Sequence, residues 1–489
     1  MEQLNQNLPE IPVEQTTLER ITNSVLLKMV VIFFLILIML IPMSLVQDLV
    51  NERQLREQNV ISEIASKWGK EQVITSPILA VPYDIVTESL RKDSKGKEYN
   101  EISIDESWVY LLPENDKMAI DVSPEHLKRG IYQSVVYNST SKINGDYKGF
   151  DENKLPIEAN KLKWQQAKMI MGVQDLKGLL SNPKLSINNV AYEFQKSNHE
   201  FNLFPNTFVA DLKLENLAAS KFNFKIDIEL RGSKSINILP LANQSEIAAK
   251  GNWGNPSFNG GYLPEDRQVD EKAFEAKWSI PSFARKTPQQ WNNNDQAIYN
   301  FNGVNLIESD NLEYSVPVES STTSIAGIAS DADMVQINFL PEVNNYQKAT
   351  RATKYGILII ILTFVSLFFT EIIKKERIHL IQYLLIGVAM VLFYSLLIAF
   401  SEHFGFNWAY LVAGISTILL IATFIKAITK NNKTALLFTG ILGLFYTFIY
   451  VLMQLRDYSL LVGTIGVFVI LAVLMRISTK VNWYQFDRK

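Results

Sequence analysis

Six uncharged apolar stretches are distributed unevenly along the 489 residues of this chain. One lies near the N-terminus, and five crowd into the last third: Met29–Val46, then Tyr355–Thr370, Leu380–Phe400, Trp408–Ile425, Thr434–Leu455 and Tyr458–Met475. A helix needs about 20 apolar residues to cross the hydrocarbon core of a bilayer. The pattern predicts a multi-pass α-helical membrane protein whose membrane helices are arranged one plus five, with a large extracytoplasmic domain inserted between them.

The first apolar stretch is predicted to be a retained anchor and not a cleaved signal peptide. Its apolar run is longer than a typical signal-peptide core, and the following Gln47-Asp48-Leu49-Val50 lacks a small-residue cleavage pattern. No Gly or Pro occurs from Gln47 to Lys67, where apolar residues recur at helical spacing. We expect one helix from Ser24 to Trp68, about 67 Å long at 1.5 Å per residue. The alternative is a break at Asp48 followed by a separate amphipathic helix.

The Lys and Arg residues between the apolar stretches alternate from one connection to the next. Lys374, Lys375 and Arg377 follow the second stretch, whereas no Lys or Arg follows the third. Lys426, Lys430 and Lys433 follow the fourth stretch, and only Arg456 follows the fifth. Four basic residues follow the sixth: Arg476, Lys480, Arg488 and Lys489. Short cytoplasmic loops carry the excess of Lys and Arg. The alternation therefore predicts that both termini are cytoplasmic and that residues 47–353 lie on the outer side.

The long polar insertion is predicted to be β-rich. Apolar and polar residues alternate with the period of a strand over Val73–Val86, Ile102–Leu112, Met118–Val122, Ile131–Tyr137, Phe222–Leu230, Ala273–Ile280 and Met334–Leu340. A polar hairpin loop is predicted over Arg91–Asn100, and short helical or turn segments over Gln174–Leu180 and Ser123–Lys128. These patterns favour a twisted sandwich of large sheets. Its tryptophans are expected to pack in the core and not to form a carbohydrate platform.

The predicted organisation has five parts. They are a disordered cytoplasmic tail (1–23), the first membrane helix with its outward extension (24–68), the β-rich domain (69–353), the five-helix bundle (354–478) and a cytoplasmic tail (479–489).

The composition excludes several kinds of chemistry. The chain has no cysteine, which rules out disulfides, zinc thiolate sites, iron–sulfur clusters and cysteine nucleophiles. Its four histidines form no spaced ligand pair, and no phosphate-binding or nucleophile-elbow motif is present. We therefore expect no enzymatic activity, no cofactor and no metal. The formal net charge of −3 gives no indication of nucleic-acid binding. A hydrolase using His126 or His199 with nearby carboxylates stays as a minor hypothesis.

A candidate functional rim lies at the end of the third apolar stretch: Ser401, Glu402, His403, Gly405 and Phe406. Glu402 and His403 could respond to protons or bind a cation, because His titrates near neutrality. Adjacent helical residues point about 100° apart, however, and would not chelate one ion together. The alternative is a polar helix end that caps the helix or docks against the inserted domain. In either case Ser401 is expected to hydrogen-bond nearby backbone.

Three polar residues are candidates for contacts between helices: His379, Gln382 and Tyr394. Glu371 is expected to pair with Lys375 one helical turn later. A second group, Arg351, Lys354 and Tyr355, is expected to anchor the second membrane helix at the headgroups.

The membrane stretches carry no Asp, Glu, Lys or Arg, whereas proton- and ion-coupled transporters depend on such residues. Small residues at helical spacing, Ala409, Ala413 and Thr417, and also Gly440 and Gly443, suggest close helix packing instead.

Several strings resemble one known family, and they span most of the chain. They are Leu230-Arg231-Gly232-Ser233; Trp253 with Pro256–Gly260 and Leu263-Pro264; Arg351–Gly356; Arg129–Tyr132 with Val136-Tyr137; Gly172–Asp175; and the long run IHLIQYLLIGVAMVLFYSLLIAFSEHFGFNWAY at 378–410. These residues are similar to the CreD family of bacterial inner-membrane proteins, called cell envelope integrity proteins.

The resemblance implies a bacterial inner membrane, a periplasmic inserted domain and a role in cell envelope integrity or the envelope stress response. We expect a sensor or scaffold that acts through this domain, with the lipid bilayer and other envelope proteins as partners. A transporter or lipid-handling protein that uses the domain as a receptor is the alternative. The residues predict no oligomeric state.

Overall fold

The computed structural model describes residues 25–92, 98–155, 157–197, 201, 203–204, 206–214, 221–292, 298, 331–339, 345–374, 378–455 and 458–479. The chain divides into two units. The membrane unit comprises Met1–Glu57 with Val343–Lys489, and the β unit comprises Gln58–Glu342. Among the described residues, six helices are long and apolar enough to cross a membrane. One precedes the β-rich region and five follow it, which confirms the predicted fold class.

Helix α1 is continuous from Val25 to Trp68. The single-helix prediction is therefore confirmed, and the break at Asp48 is wrong. The helix ends at Gly69, whose N–H donates to the Ala65 carbonyl at 2.9 Å. Gly69 has a φ of +154°, and a Cβ at this position would lie 2.6 Å from the Arg231 carbonyl oxygen. Only glycine fits this conformation and this close approach.

The five C-terminal helices are α2 Asn345–Lys374, α3 Leu380–Phe404, α4 Phe406–Thr429, α5 Asn432–Gln454 and α6 Ser459–Ser478. They extend beyond the uncharged stretches, so charged residues lie in their end turns. Close packing with α1 occurs at two glycines. A Cβ on Gly356 would lie 2.2 Å from Met43 Cε, and one on Gly387 would lie 2.8 Å from Met39 Sδ. Glycine at these positions leaves room for the methionine side chains of α1.

The described residues of the β unit form three sheets. The strands are β1 Gln72–Thr75, β2 Ile78–Lys92, β3 Glu98–Leu111, β4 Asn115–Arg129, β5 Tyr132–Tyr147, β6 Lys168–Gly172, β7 Lys184–Ile187, β8 Val190–Glu193, β9 Gln195–Lys196, β10 Thr207–Asp211, β11 Phe222–Ser233, β12 Ser235–Leu239, β13 Gln244–Gly251, β14 Pro256–Gly260, β15 Asp266–Val269, β16 Phe274–Pro281, β17 Gln290–Trp291 and β18 Val335–Phe339. The sheets have the orders β1-β12-β18-β14, β17-β3-β2-β6-β10-β9 and β15-β16-β13-β4-β5-β11-β7-β8. Pairing is antiparallel except for β1 with β12 and β4 with β13.

Alternating side chains of the long strands form the main core. Along β11 and β16 every second residue is buried, as half-buried strands require. Five tryptophans of the β unit are at most 8% exposed: Trp108, Trp164, Trp253, Trp278 and Trp291. Their burial confirms the core-packing interpretation of these side chains.

Of two local predictions in the β unit, the one for Ser123–Lys128 is wrong and the one for Gln174–Leu180 is confirmed over three residues. Ser123–Lys128 is not a turn, because it lies inside β4 and pairs with β5. The parallel pairing of β4 with β13 ends at Val122, so Pro124 occupies a strand with one free edge, where proline is tolerated. Gln174–Leu180 contains only a 3-10 turn at Leu176–Gly178, in which the Asp175 side chain accepts from the Lys177 N–H.

The predicted hairpin loop is shorter than expected, since β2 and β3 remain paired as far as Lys92 and Glu98. Some predictions concern residues outside the described ranges: the N-terminal tail 1–23, the basic residues Lys375, Arg377, Arg456 and 480–489, and His199.

Candidate functional site

Glu402 joins three helices of the membrane unit. Its Oε1 accepts the Tyr346 hydroxyl of α2 at 3.0 Å and lies 3.7 Å from Arg53 Nε of α1. The Glu402 side chain is only 10% exposed. These residues, Arg53, Tyr346 and Glu402, are named the Glu402 cluster. The carboxylate of Glu402 therefore interacts with side chains of two neighbouring helices, and not with His403 as one binding site.

The other predicted rim residues take separate roles. Ser401 is buried, and its hydroxyl donates to the Ile398 carbonyl at 2.8 Å, as expected for a backbone-bonding serine. His403 is exposed, and Phe406 is buried. Gly405 alone connects α3 to α4, with a φ of +77° that favours glycine. The rim is a tight helix-to-helix turn beside the Glu402 cluster.

A second polar cluster lies at the opposite end of the same three helices. Glu371 of α2 forms an ion pair with Lys28 of α1 and accepts the Tyr383 hydroxyl of α3 at 3.0 Å. Lys28 Nζ also donates to the Ile378 carbonyl at 2.9 Å. Lys28, Glu371, Ile378 and Tyr383 are named the Glu371 cluster. The predicted partner Lys375 lies outside the described residues.

The two clusters are separated by about one membrane thickness. Lys28 and Arg53 are 25 residues apart on α1, as are Tyr346 and Glu371 on α2, which corresponds to about 37 Å of helix. A bilayer has a hydrocarbon core of about 30 Å and polar interfaces beyond it. The clusters therefore clamp α1, α2 and α3 together at both ends of an apolar span.

His379 and Gln382, which were predicted to make contacts between helices, form a hydrogen bond with each other. Gln382 Oε1 accepts the backbone N–H of His379 at 2.9 Å, within the first turn of α3. This bond satisfies a donor that a helix N-terminus otherwise leaves free, so the pair acts as a local cap. Tyr394 is fully buried among aromatic rings, 4.8 Å from the Phe393 ring centroid. Its hydroxyl finds no partner among the described residues.

The remaining predicted membrane residues fall on two kinds of surface. Arg351 and Lys354 are exposed on α2, and Tyr355 is half-buried against the helix core. Ala409, Ala413 and Thr417 are buried, as close packing requires. Gly440 and Gly443 do not contribute such packing, because no described atom lies within 4 Å of a Cβ built there.

The β unit has an open groove of about 730 Å³ on the outer face of its eight-stranded sheet. Its floor includes Ala119 of β4 and Ala248 of β13, which are paired in register. Charged side chains of both signs surround the alanines: Asp121, Lys142, Glu229, Lys250, Glu275 and Lys277. Small residues in the centre and polar residues around them leave a depression that could accept a polar partner.

A buried carboxylate lies near one end of the same sheet. Asp116 is 1% exposed, and its Oδ2 accepts the Ser76 hydroxyl at 2.5 Å. Ser76 Oγ in turn accepts a hydrogen bond from the Leu241 N–H. The carbonyl of Leu241 accepts a hydrogen bond from Arg285 Nη1. Burial raises the pKa of Asp116 to about 6, although Ser76 and Arg285 partly oppose this rise. Asp116 thus links the start of β4 to the connections that follow β1 and β12.

Within the described ranges, no group of three His, Asp or Glu residues could hold a metal ion. His126 packs against Trp253, with ring centroids 5.0 Å apart and the rings tilted by 50°.

The family model described as "Inner membrane protein CreD" matches residues 24–484. The chain belongs to the CreD family. It is 28% identical to "Inner membrane protein CreD" of Escherichia coli (strain K12) over 465 residues, which cover 94% of each chain. The resemblance stated from the sequence is thereby confirmed, and so is the assignment to a family of inner-membrane proteins.

Sequence reasoning missed the Glu371 cluster, whose charged partners are 343 positions apart. A usable signal was present in this CreD-family chain. Lys28 and Glu371 each lie directly beside an apolar stretch and carry opposite charges.

Proposed function

We propose that this CreD-family protein supports the integrity of the bacterial cell envelope as a non-enzymatic sensor or scaffold. In this proposal the β unit lies in the periplasm, both termini are cytoplasmic, and the groove at Ala119 and Ala248 receives another envelope protein. The observation that carries it is the clamped attachment. The helices that lead into and out of the β unit, α1 and α2, are joined by both polar clusters.

The attachment to two membrane helices gives the proposal a physical basis. The chain enters the β unit from α1 and leaves it into α2, so both of its ends are attached to membrane helices. A surface carried on a membrane-anchored chain is present at high effective concentration for partners in the same membrane, and this favours association. Such an arrangement suits a receptor surface that must meet partners in the same membrane.

The orientation is tested first, with cysteine labelling. Because the chain has no cysteine, Ala119→Cys and Lys430→Cys each introduce a single thiol. A membrane-impermeant maleimide added to cells with a permeabilised outer membrane should label Ala119→Cys at once. Lys430→Cys, between α4 and α5, should react only after the inner membrane is broken. The reverse pattern would overturn the proposed orientation.

The scaffold role is tested by crosslinking from the groove. A photoreactive maleimide on Ala119→Cys should capture a reproducible envelope protein in intact membranes, with a yield that changes under envelope stress. Val190→Cys, exposed on β8 away from the groove residues, is the matched control. Equal yields from both positions would reject the groove as the docking surface. Turnover of peptidoglycan, lipid or a β-lactam by the purified protein, abolished by a point substitution, would reject the non-enzymatic role.

A further inference from the structure

The hairpin formed by β2 and β3 continues past the core as an exposed two-stranded ribbon. Tyr83 is still buried, but every residue from Asp84 to Arg91 is exposed. On β3 the stretch 100–106 is exposed apart from the half-buried Glu101. The ribbon is therefore solvated on both faces. The residues 93–97 at its tip lie outside the described ranges, and the surface considered next does not include them.

The strand register places four large aliphatic side chains on one face of this ribbon. Val86 is opposite Ile104, Glu88 is opposite Ile102, and Leu90 is opposite Asn100. Directly paired residues project from the same side of a sheet, and alternate residues share that side. The other face carries mainly polar pairs, such as Thr87 with Ser103. The ribbon is amphipathic although no described part of the protein covers its apolar face.

The exposure of these side chains is unusually high for a contiguous group. Val86 is 58% exposed, Leu90 70%, Ile102 60% and Ile104 65%. Single exposed aliphatic residues are common on protein surfaces, but clustered ones mark interaction sites. A ribbon of two strands also gains little stability by itself. Packing among the described residues does not account for its length or its apolar face.

The charges on the ribbon indicate what kind of partner fits. Residues 84–91 and 100–106 include five carboxylates and one basic residue: Asp84, Glu88, Glu101, Asp105 and Glu106, with Arg91. Arg91 forms an ion pair with Glu101, and Lys163 of the neighbouring loop lies within 3.6 Å of both Asp84 and Glu106. Glu88 projects from the apolar face itself. The surface is aliphatic with an acidic surround.

This charge pattern separates the possible occupants. Two copies packed face to face would bring together the carboxylates on this face, Asp84, Glu88 and Glu106, which like-charge repulsion disfavours. An anionic lipid surface would meet the same repulsion. We propose that the apolar face of the β2–β3 ribbon binds an amphipathic segment of another protein that carries basic residues beside aliphatic ones. The ribbon residues are distinct from those of the groove, so the two sites can be tested independently.

The test uses the full chain in nanodiscs and single cysteines on opposite ribbon faces. Leu90→Cys lies on the apolar face, and Ser89→Cys, its neighbour on the other face, is the matched control. Each carries a polarity-sensitive fluorophore. The probes are a synthetic peptide of alternating leucine and lysine, and the same peptide with glutamate in place of lysine. The lysine peptide should shift the emission of Leu90→Cys saturably and leave Ser89→Cys nearly unchanged, whereas the glutamate peptide should shift neither.

A second set of variants tests whether the aliphatic face itself makes the contact. Ile102→Ser with Ile104→Ser, in the Leu90→Cys background, should weaken binding of the lysine peptide by about tenfold or more, because two apolar contacts are lost. Both side chains are exposed, so the domain should fold normally. An unchanged affinity, or an equal response to the glutamate peptide, would overturn the proposal.

Other occupants give different signals. Quenching of the Leu90→Cys fluorophore by brominated lipids, before peptide is added, would show that the face rests on the membrane. Rapid disulfide formation between Leu90→Cys chains in one nanodisc would show self-association. Either result would reject a basic protein segment as the occupant.

Discussion

Arg53 lies 3.7 Å from Glu402, and these two residues join the interior of α1 to the last turn of α3. The same carboxylate accepts the Tyr346 hydroxyl of the second helix. One side chain thus joins α2 and α3 to α1, which the whole β unit separates from them in sequence. The arrangement explains why a glutamate occupies a largely buried position at the end of an apolar helix.

Glu402→Gln should weaken the contact between α1 and α3 without leaving a cavity, because glutamine has nearly the same volume as glutamate. A neutral amide can still accept the Tyr346 hydroxyl but loses the attraction to Arg53, so we expect a loss of roughly 1 kcal/mol of stability. Glu402→Ala should cost more, because Tyr346 then lacks this acceptor. Thermal unfolding in nanodiscs measures both. His403→Gln, next to it but exposed, is the control, and an equal effect there would contradict the role of Glu402.

The ion pair between Lys28 and Glu371 should depend on both partners. Glu371→Lys or Lys28→Glu alone places like charges together, and each should destabilise the membrane unit by roughly 2 kcal/mol or more. The exchanged double variant should recover part of this loss. A double-mutant cycle on thermal stability measures the coupling. If the double variant were as unstable as the sum of the single variants, the pair would not be a clamp.

Gly356 should not tolerate a large side chain. Leucine there would collide with Met43 of α1 and with the Tyr394 ring, 2.9 Å from the position of an added Cβ. Overpacking of this kind costs about 1–3 kcal/mol. Gly443→Leu is the matched control, since no described atom lies within 4 Å of its Cβ position. Equal destabilisation by both substitutions would show that helix approach at Gly356 is not the constraint.

Asp116 should make the stability of the β unit depend on pH. Its pKa is raised from 3.8 to about 6 by burial. The folded state therefore holds the proton more tightly than the unfolded state. The stabilising contribution is complete below about pH 4 and is lost as the pH rises through about 6, a total of roughly 3 kcal/mol.

Asp116→Asn should remove this pH dependence, because the amide does not titrate. Tryptophan fluorescence during denaturation, recorded between pH 4 and pH 8, measures it through the buried tryptophans of the β unit. Asp121→Asn, exposed on the same strand, should leave the dependence intact. A slope that survives in Asp116→Asn would assign the effect to another group.

Hydropathy and the alternation of apolar and polar residues predicted most of the architecture. Each reflects the spacing of apolar residues along the chain, and these residues are the ones that pack in the folded protein. The helix from Val25 to Trp68 and the strands around Ile120 and Ile226 follow this rule. Failures occurred where partners decided the outcome. Pro124 suggests a turn in isolation, yet a full antiparallel ladder with β5 holds it in a strand.

The candidate rim shows the same limit for function. Sequence adjacency drew attention to Glu402 with His403, whereas the structure joins Glu402 to Arg53 and Tyr346. Such partners are set by the way helices pack, and one sequence does not contain that information. The groove and the β2–β3 ribbon were also not predicted, since sheet curvature and the extent of a hairpin beyond the core depend on strand register.

The two polar clusters also make the stability of the membrane unit depend on bilayer thickness. With charged groups about 37 Å apart along α1, a thinner bilayer would expose apolar surface between them, and a thicker one would draw the ion pairs into hydrocarbon. Helices meet such hydrophobic mismatch by tilting, but α1, α2 and α3 are fastened at both ends and would have to tilt as one body. Stability in nanodiscs should therefore pass through a maximum as acyl-chain length increases.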